Sequence, residues 1–338
     1  MTSRLARAAT SGLRAVAGAR IPLKVSCHLT YRCNLTCRYC GRRGPGGNEM
    51  STEDVIALMT AFAKAGCVSW SFNGGEPLLR SDIGQLVDEG QRLGLVVSVV
   101  TNGTLLSGLD DTSWILNLDT LLISLDGPRE VCDLTRGDGT FDRVMEGLDA
   151  LPKGGPRRIV VGVLSRETAS DIRGFLDVAQ SAGAQLLVQP VGEHDHVSPS
   201  EAVDLVPSRD QVRAAATFLL EEKARGRPVL SSRPYLRLLR DTWPRVPHSV
   251  SCLAGRIFCN ITPDGGIATC CAKLDEAVHP KGPPGDASVD AFMTLTDRSA
   301  CGGCYLYGPI EASLLLGLNS GTVADLGGKV LDALRGVP

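Results

Sequence analysis

The sequence lacks three features that would each define a class of protein. No hydrophobic run reaches the roughly 18 residues that a membrane-spanning helix needs. The net charge is only −2, with 35 basic and 37 acidic residues among 338, so the chain is not predicted to bind nucleic acid or to carry an acidic tail. A cleavable signal peptide is also missing, so the cytoplasm is the expected location.

Acidic residues are absent before Glu49, whereas nine lysines and arginines precede it. In this basic part, Leu5, Leu13 and Val16 recur at helical spacing and predict a weakly amphipathic helix over residues 3–19. A solvated extension is the expected state of that helix, because its apolar face is mostly alanine. Contact with a membrane surface or a partner is the alternative.

Cysteine is abundant, with twelve residues, and without a signal peptide this argues for a reducing compartment and metal binding rather than disulfides. The first group is CNLTCRYC, in which Cys33, Cys37 and Cys40 lie within eight residues. Thiolates are the preferred ligands of zinc and iron–sulfur clusters. Because a closed site takes four ligands, this trio either has a distant fourth ligand or leaves one metal position open. Structural thiols or half a zinc site are the alternative interpretation.

The spacing of the trio, three residues and then two, and Tyr39 before its last cysteine resemble the cluster motif of the radical S-adenosylmethionine (SAM) enzymes. The resemblance implies that Cys33, Cys37 and Cys40 bind a [4Fe–4S] cluster whose fourth iron chelates SAM. It also implies the reaction, in which one electron cleaves SAM to methionine and a 5'-deoxyadenosyl radical that abstracts hydrogen from a substrate. A flavodoxin or ferredoxin is the expected electron donor.

Strand and helix patterns alternate along residues 23–190. Six apolar strand segments are predicted, the first at 23–29 and the last at 185–190, separated by segments of helical periodicity. Helices between strands imply a parallel sheet, either open and doubly wound or curved into an incomplete barrel. With the family resemblance, the predicted fold class is α/β with a partial (β/α)6 TIM-like barrel. In both architectures the active site lies at the carboxyl ends of the strands.

The candidate SAM-binding motifs all follow predicted strands. The GGEP loop after the second strand consists of Gly74, Gly75, Glu76 and Pro77. Its glycines let a backbone approach a ligand, and Glu76 supplies an acceptor for an ammonium group. Taken singly, such residues are ordinary turn chemistry, but after a cysteine trio GGEP resembles the family motif that holds the amino group of SAM. The same resemblance places five further strand-end residues near the ribose, carboxylate and adenine of SAM, namely Thr101, Asn102, Ser124, Asp126 and Gln189.

A second group of cysteines lies near the C-terminus, and four of them can form one metal site: Cys252, Cys270, Cys301 and Cys304. A β-hairpin predicted over residues 257–270 brings Cys252 and Cys270 together. The segment is similar to the auxiliary-cluster extension of radical SAM enzymes, called SPASM in its long form and twitch in its short form, and implies a second [4Fe–4S] cluster. Three alternatives stay open: Cys271 in place of Cys270, Cys259 as a spare ligand, and a structural zinc on the same thiols.

Other candidates carry weaker signals. Three cysteines match no ligand spacing and are expected to be buried small hydrophobic residues, namely Cys27, Cys67 and Cys132. Donation of a hydrogen atom to a substrate is the alternative for Cys132. Three residues after the last predicted strand are candidates for substrate or proton contacts, although a surface turn uses the same residue types: His194, Asp195 and His196.

These patterns divide the chain into four predicted parts. They are a basic extension (1–20), a radical SAM core (21–200), a helical linker (201–247) and a twitch-like domain of hairpin and helix (248–338).

Three functions are consistent with this organisation. The first is a radical SAM oxidoreductase that oxidises a small molecule such as a sugar or cyclitol, with the auxiliary cluster as electron acceptor. The second is a peptide-modifying radical SAM enzyme, which a short precursor gene beside this one would indicate. The third is a non-catalytic cysteine-rich zinc protein, which would contain zinc rather than iron.

Overall fold

The computed structural model describes residues 4–41, 44, 47–152, 154–191, 200–245, 249–295, 301, 303–317, 323 and 325. Its strands are β1 (Lys24–His28), β2 (Ser69–Asn73), β3 (Val96–Thr101), β4 (Thr120–Ser124), β5 (Arg157–Leu164), β6 (Gln185–Pro190), β7 (Phe258–Ile261) and β8 (Ile267–Ala268). Its α-helices are α1 (Arg4–Val16), α2 (Thr52–Lys64), α3 (Ile83–Arg92), α4 (Arg129–Arg136), α5 (Thr140–Asp149), α6 (Arg166–Ser170), α7 (Ile172–Ser181), α8 (Arg209–Ala224), α9 (Arg233–Thr242), α10 (Asp286–Thr294) and α11 (Tyr307–Leu316). Among these residues, no helix combines the length and the hydropathy that crossing a membrane would require.

Within the described residues the strands form one sheet in the order β6–β5–β4–β3–β2–β1–β7–β8. The first six strands are parallel and follow chain order, which is the predicted partial (β/α)6 arrangement. The predicted hairpin is present as β7 and β8, and β7 pairs in parallel with β1. The C-terminal part of the chain therefore extends the barrel sheet at β1, the strand that leads into the cysteine trio.

The core lies between the outer face of the sheet and the helices. Trp70 and Phe72 of β2 are fully buried there, and the ring of Trp70 lies 6.0 Å from that of Phe62 on α2, edge to face. The three cysteines that match no ligand spacing are fully buried in this same core: Cys27, Cys67 and Cys132. Their burial agrees with the prediction that they are small hydrophobic residues, and the alternative role of Cys132 as a hydrogen-atom donor stays a prediction.

The α1 helix packs against the end of the barrel where the strands begin, so the expectation of a solvated extension is wrong. Arg4 Nη1 pairs with Asp119 Oδ1 at 2.6 Å, and Arg7 Nη2 donates to Leu93 O at 2.9 Å. On the same face of the helix, Ser11 is buried. The alanine-rich apolar face predicts weak packing, but the helix docks through arginines that reach backbone and carboxylate oxygens of the barrel.

The inner face of the sheet has an apolar side that the C-terminal segment covers. Ile159 of β5 and Leu187 of β6 pack there with Tyr307, the first residue of α11. The backbone N–H of Tyr307 donates to Gln189 Oε1 at 3.3 Å. The segment that follows Cys304 therefore closes the side of the barrel next to β6.

A buried carboxyl group joins α11 to α9. Glu311 of α11 is only 5 % exposed, and its Oε1 accepts a hydrogen bond from Ser232 N, at the start of α9, at 2.8 Å. Burial raises the pKa of Glu311 to about 7, although the hydrogen bonds from Ser232 oppose the shift. A folded-state pKa above the unfolded value means that this group stabilises the fold below about pH 4.5, and that its contribution is lost as the pH rises through 7.

We expect Glu311→Gln to raise the melting temperature at pH 8 by a few degrees and to leave it nearly unchanged at pH 5. The amide keeps the acceptor for Ser232 but removes a buried charge that costs roughly 2–3 kcal/mol when ionised. Thermal unfolding followed by circular dichroism at both pH values measures the difference. Glu221→Gln on the exposed side of α8 is the control, and equal pH profiles for wild type and Glu311→Gln would contradict the interpretation.

Candidate active site

The cysteine loop, residues 29–41, leaves the carboxyl end of β1 and lies against the GGEP loop that leaves β2. Parallel pairing continues past both strands, because Gly75 N donates to Thr30 O at 2.7 Å. A Cβ at Gly74 would lie 2.3 Å from Thr30 O, and a Cβ at Gly75 would lie 2.2 Å from Arg32 O. No side chain fits at these distances, so both glycines are required for the contact that positions the cysteine loop.

Glu76 joins the ends of β2 and β3. The side chain is fully buried, and Oε1 accepts from Leu78 N at 3.0 Å and from Thr101 Oγ1 at 2.8 Å. The second oxygen, Oε2, accepts from Asn102 N at 2.7 Å, and burial raises the pKa of Glu76 although these bonds oppose the shift. The expected contact between Glu76 and an ammonium group stays a prediction, since such a group would have to enter a carboxylate site that internal donors already fill.

The sulfur of Cys33 receives two N–H donors from its surroundings. Leu35 N lies 3.4 Å from Sγ, and Asn102 Nδ2 lies 3.8 Å from it. The same amide of Asn102 donates to Asn34 Oδ1 at 2.8 Å, and Asn34 Nδ2 donates to Thr104 Oγ1 at 2.9 Å. Sequence reasoning did not select Asn34, which stands beside Cys33 in the motif itself. Donors of this kind stabilise negative charge on a ligating sulfur.

Asp126, at the end of β4, is the centre of a buried ionic network. Its Oδ2 accepts from Tyr39 Oη at 2.6 Å and from Thr135 Oγ1 at 3.0 Å, and Oδ1 accepts from Val163 N at 3.0 Å. Arg136 Nε lies 2.8 Å from Oδ2, and both side chains of this ion pair are buried. The placement of Asp126 near SAM stays a prediction, because its contacts among the described residues tie β4, β5 and α4 to the cysteine loop.

The same network reaches the second cysteine of the trio. Burial raises the pKa of Cys37 to about 11, and the nearby charge of Arg136 opposes the shift. Arg38 N donates to Thr135 O at 2.9 Å, and Arg38 Nη2 pairs with Asp204 Oδ2 at 2.6 Å. Sequence reasoning missed Arg136 because it lies ten residues beyond the strand-end motif, on α4.

The three thiols of the trio lie close enough to interact electrostatically with one another. Cys37 is buried, whereas Cys33 and Cys40 are partly accessible, and none of the three is in a disulfide. Among the described residues, no three histidine, cysteine or acidic side chains surround a point as the ligands of one metal ion would. A [4Fe–4S] cluster attaches its cysteines to different irons, so its thiolates stand farther apart than those of a single zinc. Three free thiols within electrostatic reach of one another are a donor set that such a cluster can use.

The other predicted positions are spread over the same edge of the sheet. Ser124 is the last residue of β4 and is half-buried. Gln189, in β6, faces α11 rather than the cysteine loop. Pro77 opens a 3-10 turn at 77–79 directly after Glu76. The three candidates for substrate or proton contacts fall outside the described residues: His194, Asp195 and His196.

Three of the four C-terminal cysteines predicted as one site, Cys252, Cys270 and Cys304, lie within reach of one another. Cys252 and Cys270 belong to the same small apolar cluster beside β7. Cys304 interacts electrostatically with both of them, and burial raises its pKa to about 12. Cys301 is exposed, and both Cys301 and Cys270 lie within electrostatic reach of Lys273.

The two alternative ligands differ in their placement. Cys259 points from β7 into the main core beside Cys27 and Cys67, and burial raises its pKa well above the usual range. The suggestion that Cys259 is a spare ligand is therefore wrong, because strand alternation turns it away from the other C-terminal thiols. Cys271 lies within electrostatic reach of Cys304 and also lines the barrel lumen.

Comparison with known proteins agrees with this geometry. Residues 28–179 match the family model described as the Radical SAM superfamily. The mycofactocin maturase MftC of Mycolicibacterium smegmatis is 28 % identical over 321 residues, 87 % of this chain and 78 % of that protein. A probable GTP 3',8-cyclase of Methanocella arvoryzae is 29 % identical over 278 residues, covering 79 % of this chain and 87 % of that protein. Among solved structures, anSMEcpe with bound AdoMet and Cp18Cys peptide superposes with a TM-score of 0.64 at 15 % identity, covering 93 % of this chain and 99 % of that one.

The family match and the fold define a class of enzyme. The matched residues, 28–179, contain the cysteine trio and the GGEP loop and are similar to the radical SAM superfamily, and the predicted α/β fold with its partial barrel is confirmed. Because members of this family bind a [4Fe–4S] cluster and SAM, the prediction of these cofactors is confirmed at the level of the family. The structural likeness, at low sequence identity, concerns the fold alone.

We expect Asp126→Asn to lower the free energy of unfolding by about 3 kcal/mol or more, because it leaves the buried guanidinium of Arg136 without a countercharge. Urea unfolding of anaerobically purified protein, followed by circular dichroism, measures the loss. Asp142→Asn is the matched control, since Asp142 pairs with Arg129 where each side chain is 50 % exposed, and it should change the midpoint little. Equal losses in the two variants would show that the Asp126 network does not stabilise the fold.

Proposed function

We propose that Cys33, Cys37 and Cys40 hold the catalytic [4Fe–4S] cluster and that SAM occupies the position that the trio leaves open. The observation that carries the proposal is the cysteine loop itself, held at the carboxyl edge of the sheet with N–H donors on the sulfur of Cys33. When bound, the two cofactors supply one-electron chemistry that removes a hydrogen atom from a substrate. A flavodoxin or ferredoxin as the electron donor remains part of this proposal.

The residues around the trio hold and insulate that site. Asn102 and Leu35 donate to the sulfur of Cys33, and Arg136 places a buried positive charge near Cys37. These groups favour the thiolate form that a cluster requires. The 3-10 segment at 200–205 contributes Leu205, which packs with Tyr39 over the loop and limits the access of water.

The second part of the proposal is an auxiliary [4Fe–4S] cluster on Cys252, Cys270, Cys301 and Cys304. Cys270 is preferred to Cys271, since it shares an apolar cluster with Cys252. Cys304 is followed directly by the segment that closes the barrel beside β6, so an auxiliary cluster would lie next to the lumen. A structural zinc on the same thiols is the competing interpretation, and metal analysis separates the two.

We infer that the substrate is a peptide. The similarity to a maturase covers most of this chain, and one similar structure contains a bound peptide. The lumen holds a cavity of about 240 Å³, smaller than the roughly 300–1,000 Å³ of sites that enclose a whole drug-sized ligand. A cavity of this size suits one side chain of a longer molecule. Oxidation of a sugar or cyclitol remains the alternative. The similarity to a GTP 3',8-cyclase supports this small-molecule alternative.

We expect about eight irons per chain after anaerobic reconstitution with iron and sulfide, falling to about four when Cys33, Cys37 and Cys40 are all replaced by Ala. Deoxyadenosine formed from SAM with a strong reductant should disappear in that triple variant, because the trio supplies the ligands. Cys67→Ala, in the core, is the control and should retain iron and activity. Zinc instead of iron, or unchanged deoxyadenosine in the triple variant, would refute the assignment.

For the substrate, we expect a peptide encoded by a short gene next to this one to change mass when incubated with the reconstituted enzyme, SAM and reductant. Mass spectrometry of the peptide measures the change, and the triple cysteine variant gives the background. A set of cyclitols and sugars is tested in parallel. Turnover of one of these compounds with no change in the peptide would replace the peptide by the small-molecule function.

A further inference from the structure

Strand β1 presents three polar side chains to the barrel lumen. Lys24, Ser26 and His28 alternate with Val25 and Cys27, which are buried in the core. Successive residues of a strand point to opposite faces, so the three polar residues share the inner face. The alternation is already visible in the sequence of the predicted strand 23–29.

These side chains line the lumen cavity of about 240 Å³. The rest of its lining comes from strand ends and from the C-terminal part of the chain: Asn73, Gln189, Phe258, Asn260, Cys271, Leu306, Gly308 and Pro309. Lys24 is the only lysine or arginine among the described lining residues, and none of them is acidic. The cavity therefore combines hydrogen-bonding side chains with one full positive charge.

The ammonium group of Lys24 lies in unusual surroundings. Its side chain remains accessible to the cavity, yet the protein around it lowers its pKa, with Cys271 opposing the shift. Among the described residues no carboxylate forms an ion pair with Lys24. Because the ammonium lines the cavity and no acidic side chain is among the described lining residues, a ligand that brings a negative group can pair with it there.

We propose that Lys24 binds a carboxylate of the substrate inside the barrel. The inference rests on the proposed function, because it takes the lumen cavity as the substrate site. One ammonium matches a monoanionic carboxylate, whereas phosphate is usually held by several donors such as an arginine fork, which is absent from the described lining residues. The N-terminus of α11 also lines the cavity, but Tyr307 N donates to Gln189 Oε1 and Pro309 has no N–H to offer an anion. Four residues of strand separate Lys24 from His28 at the cysteine edge, about 13 Å. A carboxylate held by Lys24 would therefore lie well below the cysteine edge of the barrel.

A reporter thiol in the cavity tests the preference for anions without knowledge of the substrate. Ser26→Cys is made in the reconstituted holoenzyme, and the rates of alkylation at position 26 by iodoacetate and by iodoacetamide are compared by peptide mapping. Dividing the rate with iodoacetate by the rate with iodoacetamide cancels differences in thiol reactivity between variants. We expect this ratio to fall about tenfold when Lys24→Met is added and to be largely retained with Lys24→Arg. Lys64→Met, on the outer surface at the end of α2, should leave it unchanged.

Competition identifies the anion. At equal ionic strength, acetate should slow the alkylation of the reporter by iodoacetamide, and inorganic phosphate should slow it less. An unchanged ratio in Lys24→Met, a reporter that neither reagent reaches, stronger protection by phosphate, or no protection by either anion would each overturn the proposal. Deoxyadenosine formation in the same preparations distinguishes failure of this inference from failure of the proposed function. If it is normal while the ratio does not respond to Lys24, only this inference fails; if it is absent from the wild type, the proposed function fails.

Discussion

The contact between two backbone carbonyls and two glycines positions the cysteine loop on which the proposed chemistry depends. The oxygens of Thr30 and Arg32 occupy the space that side chains at positions 74 and 75 would fill. This contact continues the parallel pairing of β1 and β2 beyond the strands and carries the cysteine loop along the edge of the sheet. Glu76 then accepts hydrogen bonds from Thr101 and Asn102 at the end of β3, and Asn102 contacts the sulfur of Cys33, so three strand ends are linked to the first cysteine of the trio.

Buried charge is arranged differently in different parts of the molecule. The Asp126–Arg136 pair is fully enclosed and shares its hydrogen bonds with Tyr39 and the backbone of β5, which makes it a structural support of the cysteine loop. Such a pair is costly to break, because removing one partner leaves the other as an uncompensated buried charge, although desolvation of both groups offsets much of their attraction. Lys24 has no carboxylate partner of this kind among the described residues, and it faces a cavity. This contrast distinguishes groups that hold the fold together from a group available to a ligand.

Sequence reasoning succeeded where a short local pattern was sufficient. The spacing of the trio, the GGEP loop and the alternation of strands and helices predicted the family and the barrel. It failed where the relevant partner is distant in the chain. The docking of α1 depends on Asp119 and on the backbone near residue 93, and Cys259 turned out to be a core residue because β7 joins β1. Arg136 lies on a helix with no motif of its own, so only its contact with Asp126 shows its role.

The sequence by itself determined the ligand chemistry and the order of the elements, because thiol spacing, glycine pairs and side-chain periodicity act over a few residues. Only the tertiary structure decided which groups meet. The hairpin of residues 258–268 lies beside β1, and the segment after Cys304 closes the barrel. The polar face of β1 lines a cavity as a result. These arrangements depend on contacts between segments more than 100 residues apart, and no local propensity encodes such distances.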